Sequence, residues 1–454
     1  MMFIIIFFLF ISIFAFPYIY PNNSFGNEYY ELKMKNDNDQ KFSKTRINSL
    51  VLPLDNFVIN SPFENEGYYP VSLDEEGNIV IINYTLNGIE FYRFSSNALS
   101  TNKLSFSSNR NVSEVKKDLI NLKNHFVHFI KFPFIVGSFY DNKNDTPSFF
   151  IAKLKIKSEK FILDEYKVID FGSRIDNLYF ILFRGFFPLS NHNFIILGNL
   201  LDEKVSANFY PYLDILISKL DESMKITNVN ILKNIAGGNQ QDSISKSIVD
   251  NEGNIYMGGA SKSLNHCTDI LLVKLNNQGD FDKNFGNNGI LLINGVGNGV
   301  DSISDMEIFQ DYLICGGITY DKNSIGRAFV MKLSKKTGDF DPTFGNYGEK
   351  IINSNYNSQV VKLEVGNNIF AQVCEFKNSS NPIRDYYNLK IIEINQEGKI
   401  VQEMHMNFTE PTHLLDIIYR DGKLYLITIQ KSNQNYNRYF YRIFRFYTSD
   451  NYKG

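Results

Sequence analysis

The sequence has no tryptophan and only three cysteines among its 454 residues. The three are Cys267, Cys315 and Cys374, an odd and sparse set that excludes the small folds held together by a disulfide framework. Cys315 and Cys374 lie 59 residues apart, and we interpret them as small buried apolar residues rather than as redox or metal groups. A pairing of two of the three stays open if the compartment is oxidising.

An excess of charge of either sign is also absent, since 46 basic and 49 acidic residues leave a formal net charge of −3. Without a basic field or a charged tail, the chain is not expected to bind nucleic acid. No phosphate loop, nucleophile elbow or zinc-ligand spacing is present. His125 and His128 are three residues apart, which places them on opposite faces of a strand and argues against a shared metal. We therefore expect no metal, no cofactor and no motif-defined catalytic residue.

The N-terminus is an almost unbroken apolar run over residues 3–16, which Pro17 interrupts. Its length suits the apolar core of a signal peptide better than a membrane span of roughly 20 residues. We predict a signal peptide over residues 1–20 and hence a secreted or cell-surface protein. The alternatives are an uncleaved membrane anchor extending to Tyr20 and a buried core strand. Residues 21–45, rich in Asn, Asp and Lys, are interpreted as a solvated linker.

The chain is rich in Phe and Tyr, with 40 and 27 residues, which favours strands. It also contains a repeat. Residues 242–245 and 301–304 share the sequence Asp-Ser-Ile-Ser and begin 59 residues apart. Each is followed by a strand ending in Gly-Gly, by an apolar strand closing on Lys-Leu, and by a turn, at residues 279–289 and 338–348. The repeat therefore comprises several short strands with tight turns between them.

Two independent series of marks extend this repeat along the chain. One is a strand end at which a charged residue precedes an apolar one. It occurs at Arg93-Phe94, Lys153-Leu154, Lys219-Leu220, Lys274-Leu275, Lys332-Leu333, Glu393-Ile394 and Arg445-Phe446. The other is a short apolar strand that precedes each of these marks. Both series indicate seven repeats of about 58 residues, and a unit of this length with four short strands is typical of one propeller blade.

We therefore predict an all-β, seven-bladed β-propeller over residues 46–454, expected to be a monomer. The chain ends too soon after Phe446 for the last blade to have an outer strand of its own. Residues 47–54 lie just before the first repeat and are predicted to supply that strand. Pro53 is acceptable there because an outermost strand is an edge.

Residues 241–350 resemble the delta-60 repeat family of bacterial-type propeller repeats. The resemblance is carried by the turn Phe-Asp-Lys-Asn-Phe-Gly-Asn-Asn-Gly at residues 281–289, by its copy at 340–348, by Asp-Gly-type hairpins and by the Gly-ending strand. The family usually has Leu before the Asp, where this chain has Phe, and the turn is clear in two repeats. The resemblance implies a propeller-like and often exported protein, and it carries no catalytic residues.

The loops that enter the innermost strands usually rim one mouth of a propeller channel, where ligands tend to bind. Counting back from the apolar strands places five polar residues near that mouth as candidate ligand-binding residues: Glu66, Asp176, Asp242, Asp301 and Asn357. Glu410 and His413 are further candidates. Carboxylates at a narrow rim suit a cation, a sugar or a basic peptide. The alternative is that each Asp caps its own strand or bonds the next blade.

Two other carboxylate pairs, Asp280 with Asp282 and Asp339 with Asp341, are interpreted as turn caps, each turn being filled by a phenylalanine. The chain is thus predicted to be an exported, non-enzymatic binding propeller with a protein or carbohydrate ligand at one mouth. A glycoside hydrolase or lyase that uses two mouth carboxylates is the enzymatic alternative. A structural surface protein held by an uncleaved N-terminus is a third possibility, and the fold alone does not choose among them.

Overall fold

The computed structural model describes residues 32–36, 43–45, 49–53 and most of 71–447. The gaps in the last range are residues 75, 86–87, 95–114, 121–124, 141–146, 158–159, 172–174, 176–177, 203–212, 265–267, 295–298, 322, 377–387, 409–411, 421 and 432–438. Every described helix or strand element is a β-strand, which confirms the all-β prediction. The described part of the chain contains no helix of the length and apolarity that a membrane crossing requires.

The described strands from Val71 onwards form consecutive antiparallel groups, six of four strands and a last one of three, which we number as units 1 to 7. Three strands precede them, β1 (Leu32–Asn36), β2 (Ser43–Thr45) and β3 (Ser49–Pro53). Unit 1 comprises β4 (Val71–Leu73), β5 (Ile79–Thr85), β6 (Gly88–Phe94) and β7 (Val115–Ile120). Unit 2 comprises β8 (His125–Lys131), β9 (Phe134–Tyr140), β10 (Pro147–Lys157) and β11 (Lys160–Ile169).

The middle units follow the same order. Unit 3 comprises β12 (Leu178–Pro188), β13 (Phe194–Asp202), β14 (Leu213–Leu220) and β15 (Ile226–Leu232). Unit 4 comprises β16 (Gly237–Val249), β17 (Ile255–Ser263), β18 (Thr268–Leu275) and β19 (Ile290–Ile293). Unit 5 comprises β20 (Ser302–Phe309), β21 (Tyr312–Tyr320), β22 (Gly326–Ser334) and β23 (Glu349–Ile352). One parallel pairing, Leu213 with Gln241, links the sheets of units 3 and 4.

The last two units recruit strands from the start of the chain. Unit 6 comprises β24 (Asn357–Val365), β25 (Ile369–Phe376), β26 (Asn388–Ile394) and β27 (Ile400–Asn407), and β1 and β2 extend its sheet. Unit 7 comprises β28 (Thr412–Arg420), β29 (Lys423–Lys431) and β30 (Tyr439–Tyr447), with β3 as its fourth strand.

The pairing of β3 with β30 is the one predicted for residues 47–54. Leu50 lies opposite Ile443, and Pro53 lies on the outer edge of the sheet, opposite Phe440. The linker prediction for residues 21–45 needs correction, because β1 pairs with β27 along five residues and with β2. The physical reason is that β27 would otherwise present a row of unpaired backbone groups, which an extended segment can satisfy whatever its side chains.

Adjacent units pack face to face in a propeller arrangement. Six hydrophobic clusters are described, and each combines side chains from two consecutive units, from units 1 and 2 through units 6 and 7. The first strands of successive units also contact one another from β4 through β28. Burial on both faces explains why the strands are continuous apolar runs, such as Ile270–Val273 in β18. Cys315 is one of these buried residues and is a free thiol, as expected.

The repeated turn after the third strand is fixed by an ion pair beneath it. Lys274 Nζ lies 2.7 Å from Asp282 Oδ2, and Lys332 Nζ lies 2.9 Å from Asp341 Oδ2. The other oxygen of Asp341 accepts the backbone amide of Thr343 at 3.0 Å, which confirms its role as a turn cap. The turn phenylalanines, Phe285 and Phe344, are fully buried. The charged residue of the Lys-Leu mark is thus the anchor for the turn that follows it.

We predict that Lys332→Met lowers the free energy of unfolding by about 3 kcal/mol, because it leaves the buried Asp341 carboxylate without its cation. Lys219→Met is the matched control, since its partner Asp280 is 62% exposed and exposed pairs contribute about 0.5 kcal/mol. Urea unfolding of both variants measures the difference. Equal losses in the two variants would contradict the anchoring role.

Candidate functional site

The first strands of units 2 to 7 carry a β-bulge at equivalent positions. The register between first and second strand shifts at the bulge residues His128, Arg184, Ser245, Ser304, Val361 and Leu415. A bulge adds one unpaired residue and bends the strand, so the side chains that follow it are re-aimed. In units 4 to 7 the residue after the bulge is charged, and these residues are Lys246, Asp305, Lys362 and Asp416.

These charged residues pair from one unit to the next. Lys246 Nζ in unit 4 lies 2.8 Å from Asp305 Oδ1 and 3.1 Å from Glu307 Oε1 in unit 5. Lys362 Nζ in unit 6 lies 3.4 Å from Asp416 Oδ1 in unit 7. The second carboxylate oxygen of Asp305 accepts the backbone amide of Leu363 in unit 6 at 3.0 Å. Asp305 therefore joins three consecutive units.

The same side chains interact across units that are not neighbours. Asp416 of unit 7 contributes to the raised pKa of Lys246 in unit 4, and Glu307 of unit 5 acts on the pKa of Lys131 in unit 2. Since the first strands of successive units contact one another, we place these side chains in a common interior, which we call the central channel. The channel cluster consists of Lys131, Lys246, Asp305, Glu307, Lys362, Glu364 and Asp416.

Burial and neighbouring charges raise the pKa of some groups in the cluster and lower the pKa of others. Burial alone would lower the pKa of Lys246, but Asp305 and Glu307 outweigh it and hold that pKa well above its usual value. Burial would raise the pKa of Asp305, and Lys246 with Lys362 reverses this, so that pKa is lowered. These two groups therefore stay charged at neutral pH.

Two glutamates behave in the opposite way. Burial raises the pKa of Glu307, with Lys246 opposing it. Burial, reinforced by Glu307 and Asp416, raises the pKa of Glu364 well above its usual value. A carboxyl group in this setting can carry a proton at a pH where Asp305 is ionised. Neighbouring groups with divergent pKa values make this cluster the candidate functional site.

Two predicted mouth residues, Asp242 inside β16 and Asp301 directly before β20, are buried. Asp242 accepts the Ser261 hydroxyl and, at 3.2 Å, the backbone amide of Ile235. Burial raises its pKa, and these hydrogen bonds oppose the rise. Asp301 accepts the backbone amide of Tyr320 at 2.9 Å. Both carboxylates thus hold nearby backbone amides, as the capping alternative proposes.

The remaining predicted residues are not gathered at one point. Asn357 begins β24 and accepts the amide of Gly326 in unit 5 at 2.7 Å, which joins two units. His413 lies in β28. Glu66, Asp176 and Glu410 lie outside the described residues. Ligand binding by the predicted set stays a prediction.

The sequence reasoning did not find the channel cluster. A partial signal was present, because the first strands of units 4 to 7 each contain a charged residue within two positions of an apolar one, at Lys246, Asp305, Lys362 and Asp416. Without the bulge, alternation would place these charges against a neighbouring unit, and nothing in the sequence marks the bulge.

The histidines form no metal site in the described part of the chain, where no group of three metal-ligating side chains occurs. His125 Nε2 lies 2.8 Å from the Tyr166 hydroxyl. His128 Nε2 lies 3.0 Å from the Ser138 hydroxyl, and burial, with Arg184 adding to it, lowers the pKa of His128 to about 3. The two rings have separate hydrogen-bond partners, and these partners account for the positions of both histidines without a shared metal.

The chain matches no protein-family model, and no curated protein matches it by sequence. Its similarities to solved structures are distant. The N-terminal domain of Nup159 has a TM-score of 0.37 at 9% identity, covering 95% of this chain and 99% of that one. Trypanosoma rangeli sialidase in complex with sialic acid has a TM-score of 0.36 at 12% identity, covering 75% of this chain. The chain spans 56% of the sialidase's length.

A glycosyl hydrolase from Bacteroides ovatus has a TM-score of 0.31 at 10% identity, covering 58% of this chain and 85% of that one. At such scores these similarities do not bear on function. The site is therefore argued from its own residues.

We predict that Lys246→Met lowers the free energy of unfolding by about 3 kcal/mol, because Asp305 and Glu307 would lose their shared cation in a buried setting. The control is Lys335→Met, whose partner Asp311 is 91% exposed, so its loss costs about 0.5 kcal/mol or less. Thermal and urea unfolding measure both. A Lys246→Met variant as stable as the control would show that the cluster does not join the units.

Proposed function

We propose that the protein is an exported, seven-bladed β-propeller that binds a charged ligand in its central channel and is not an enzyme. The blades are units 1 to 7, and residues 1–20 direct export. Two contacts support closure of the ring. The Arg420 guanidinium of unit 7 donates a hydrogen bond to the Gly77 carbonyl of unit 1, and β3 completes unit 7 from the N-terminal side. The likeness of residues 241–350 to delta-60 repeats agrees with this proposal.

The observation that carries the binding proposal is the convergence of seven ionisable side chains from five first strands on one channel. The cluster has four carboxyl groups against three lysines, and burial lowers the pKa of Lys131, which Glu307 opposes. Glu364 accepts a backbone hydrogen bond from Tyr419, and no ion pair to Glu364 is found among the described residues. A ligand that brings a positive charge would favour the ionised form of Glu364 and supply its missing partner.

The ligand we favour is therefore a protein segment with an exposed basic side chain. A neutral carbohydrate would bind chiefly through hydroxyl hydrogen bonds and would not compensate the excess of carboxyl groups. A panel of basic, acidic and neutral peptides, together with neutral glycans, separates these cases. Binding of neutral glycans alone would favour the carbohydrate class.

We predict that Glu364→Gln weakens binding of the basic peptide about tenfold, since one charge-assisted contact is worth about 1.4 kcal/mol. The matched control is Glu397→Gln, an exposed turn residue of unit 6, which should bind like the unaltered protein. Isothermal titration calorimetry with both variants gives the comparison. Equal affinities for the two variants would remove Glu364 from the site.

A second candidate is a glycoside hydrolase or lyase, favoured by the raised pKa of Glu364 beside Glu307 and Asp416. A protonated carboxyl group near an ionised one is the pairing that glycosidic bond cleavage requires. This alternative uses the channel carboxyls, because Asp242 and Asp301 already hold backbone amides.

If this candidate is correct, aryl glycosides or oligosaccharides are turned over, and the rate falls as pH rises through the raised pKa of the proton donor. Glu364→Gln abolishes the turnover, whereas Glu397→Gln keeps it. Reducing-sugar release across a pH series measures this. No turnover of any substrate by the unaltered protein would leave the binding proposal alone.

A further inference from the structure

We propose a second site, at the junction between units 4 and 5, in which Asp301, Thr268 and Thr319 hold a single hard cation through oxygen atoms. It lies at the end of the channel where the first strands begin. It does not depend on the function proposed for the channel cluster.

Register and alternation bring the three residues together. The Asp301 amide donates a hydrogen bond to the Thr268 carbonyl at 3.0 Å, and Asp301 Oδ1 accepts the amide of Tyr320, the neighbour of Thr319. Ile303 faces unit 4, where its side chain meets Gly258, so Asp301, two residues earlier, faces unit 4 as well.

The two threonines lie on the same interface. Cys315, in the cluster that joins units 4 and 5, is four residues before Thr319, so Thr319 faces unit 4. Ile270 and Leu272 belong to the same cluster from the other side, so Thr268 faces unit 5. The two hydroxyls therefore lie on opposing faces of the junction that Asp301 also faces.

Besides their position, the two hydroxyls share a second property: neither has a hydrogen-bond partner among the described residues. Thr268 is 7% exposed and Thr319 is 3% exposed, and among the described residues neither side-chain oxygen has a hydrogen-bond partner. A hydroxyl buried without a partner costs roughly 1–3 kcal/mol. Two such costs at one junction point to an occupant that contacts both oxygens.

The equivalent position in unit 4 supplies an internal comparison. Ser261 corresponds to Thr319, since both lie two residues after the Gly-Gly pair of the second strand. There the Ser261 hydroxyl donates directly to Asp242 Oδ1. In unit 5 the threonine hydroxyl makes no such bond to Asp301. The hydrogen bond from hydroxyl to aspartate is thus present in unit 4 and absent at the equivalent position in unit 5.

The charge at the junction favours a cation over a neutral occupant. Asp301 is 1% exposed and brings a carboxylate to the junction that the two hydroxyls share. Carboxylate and hydroxyl oxygens are ligands for hard cations such as Ca²⁺ or Na⁺ and poor ligands for soft metals. With a single carboxylate among the three side chains, the affinity should be weak, in the range of extracellular Ca²⁺ sites.

The test measures thermal unfolding of the full chain after chelator treatment, in choline chloride alone and with added CaCl₂ or NaCl. Thr268→Val and Thr319→Val keep the side-chain shape and remove the hydroxyl. Thr227→Val is the control, because that exposed hydroxyl bonds only the Lys219 carbonyl at 3.1 Å.

We expect the effect of the two junction valine substitutions on the unfolding temperature, relative to the unaltered protein, to change sign when a binding cation is added. Without a binding cation, each valine variant at the junction is as stable as the unaltered protein or more stable, because an unpartnered hydroxyl has been removed. With the cation, the unaltered protein and the Thr227→Val control gain about 2 °C and the junction variants gain nothing. A response to Ca²⁺ alone or to Na⁺ as well identifies the ion.

Two outcomes overturn the proposal. Junction variants that are destabilised equally in every salt would indicate a buried water in place of the cation. Junction variants that are stabilised equally in every salt would indicate that nothing occupies the space.

Discussion

The contact on which the arrangement depends is the one between the carboxylate of Asp305 and the two units beside its own. One oxygen pairs with Lys246 of unit 4 and the other accepts the Leu363 amide of unit 6. First strands have one unpaired edge, so their backbone amides need acceptors from elsewhere. The bulge before Asp305 provides that acceptor by turning a charged side chain along the channel.

Apolar packing and these polar contacts have different tasks. The six clusters between units supply the free energy of association, but apolar contacts are non-directional and fix the spacing of units less strictly than polar contacts. Hydrogen bonds and ion pairs do fix it, because a buried charge without its partner is costly. The same groups make the channel chemically distinctive. The paired charges that fix the spacing of the units therefore also give the channel groups their divergent pKa values.

Repetition explains how much the sequence could predict. The strand spacing, the turn caps such as Asp341 and the pairing of residues 47–54 with the last unit all follow from the recurring marks and from the strand number that they predict for each unit. The channel cluster could not be predicted, because a bulge has no residue requirement here and changes the direction of a side chain without changing the repeat length. The strands β1 and β2 were missed because their polar composition resembles a linker, and an open sheet edge selects backbone rather than side chains.

Native-state hydrogen exchange at the Leu363 amide tests the central contact most directly. This amide lies on the channel edge of β24, and Asp305 is its acceptor. The account predicts exchange as slow as that of Val330 in the middle of unit 5, and fast exchange at Leu363 with Val330 still protected when Asp305 is replaced by alanine. Fast exchange at Leu363 in the unaltered protein, with Val330 still protected, would contradict it.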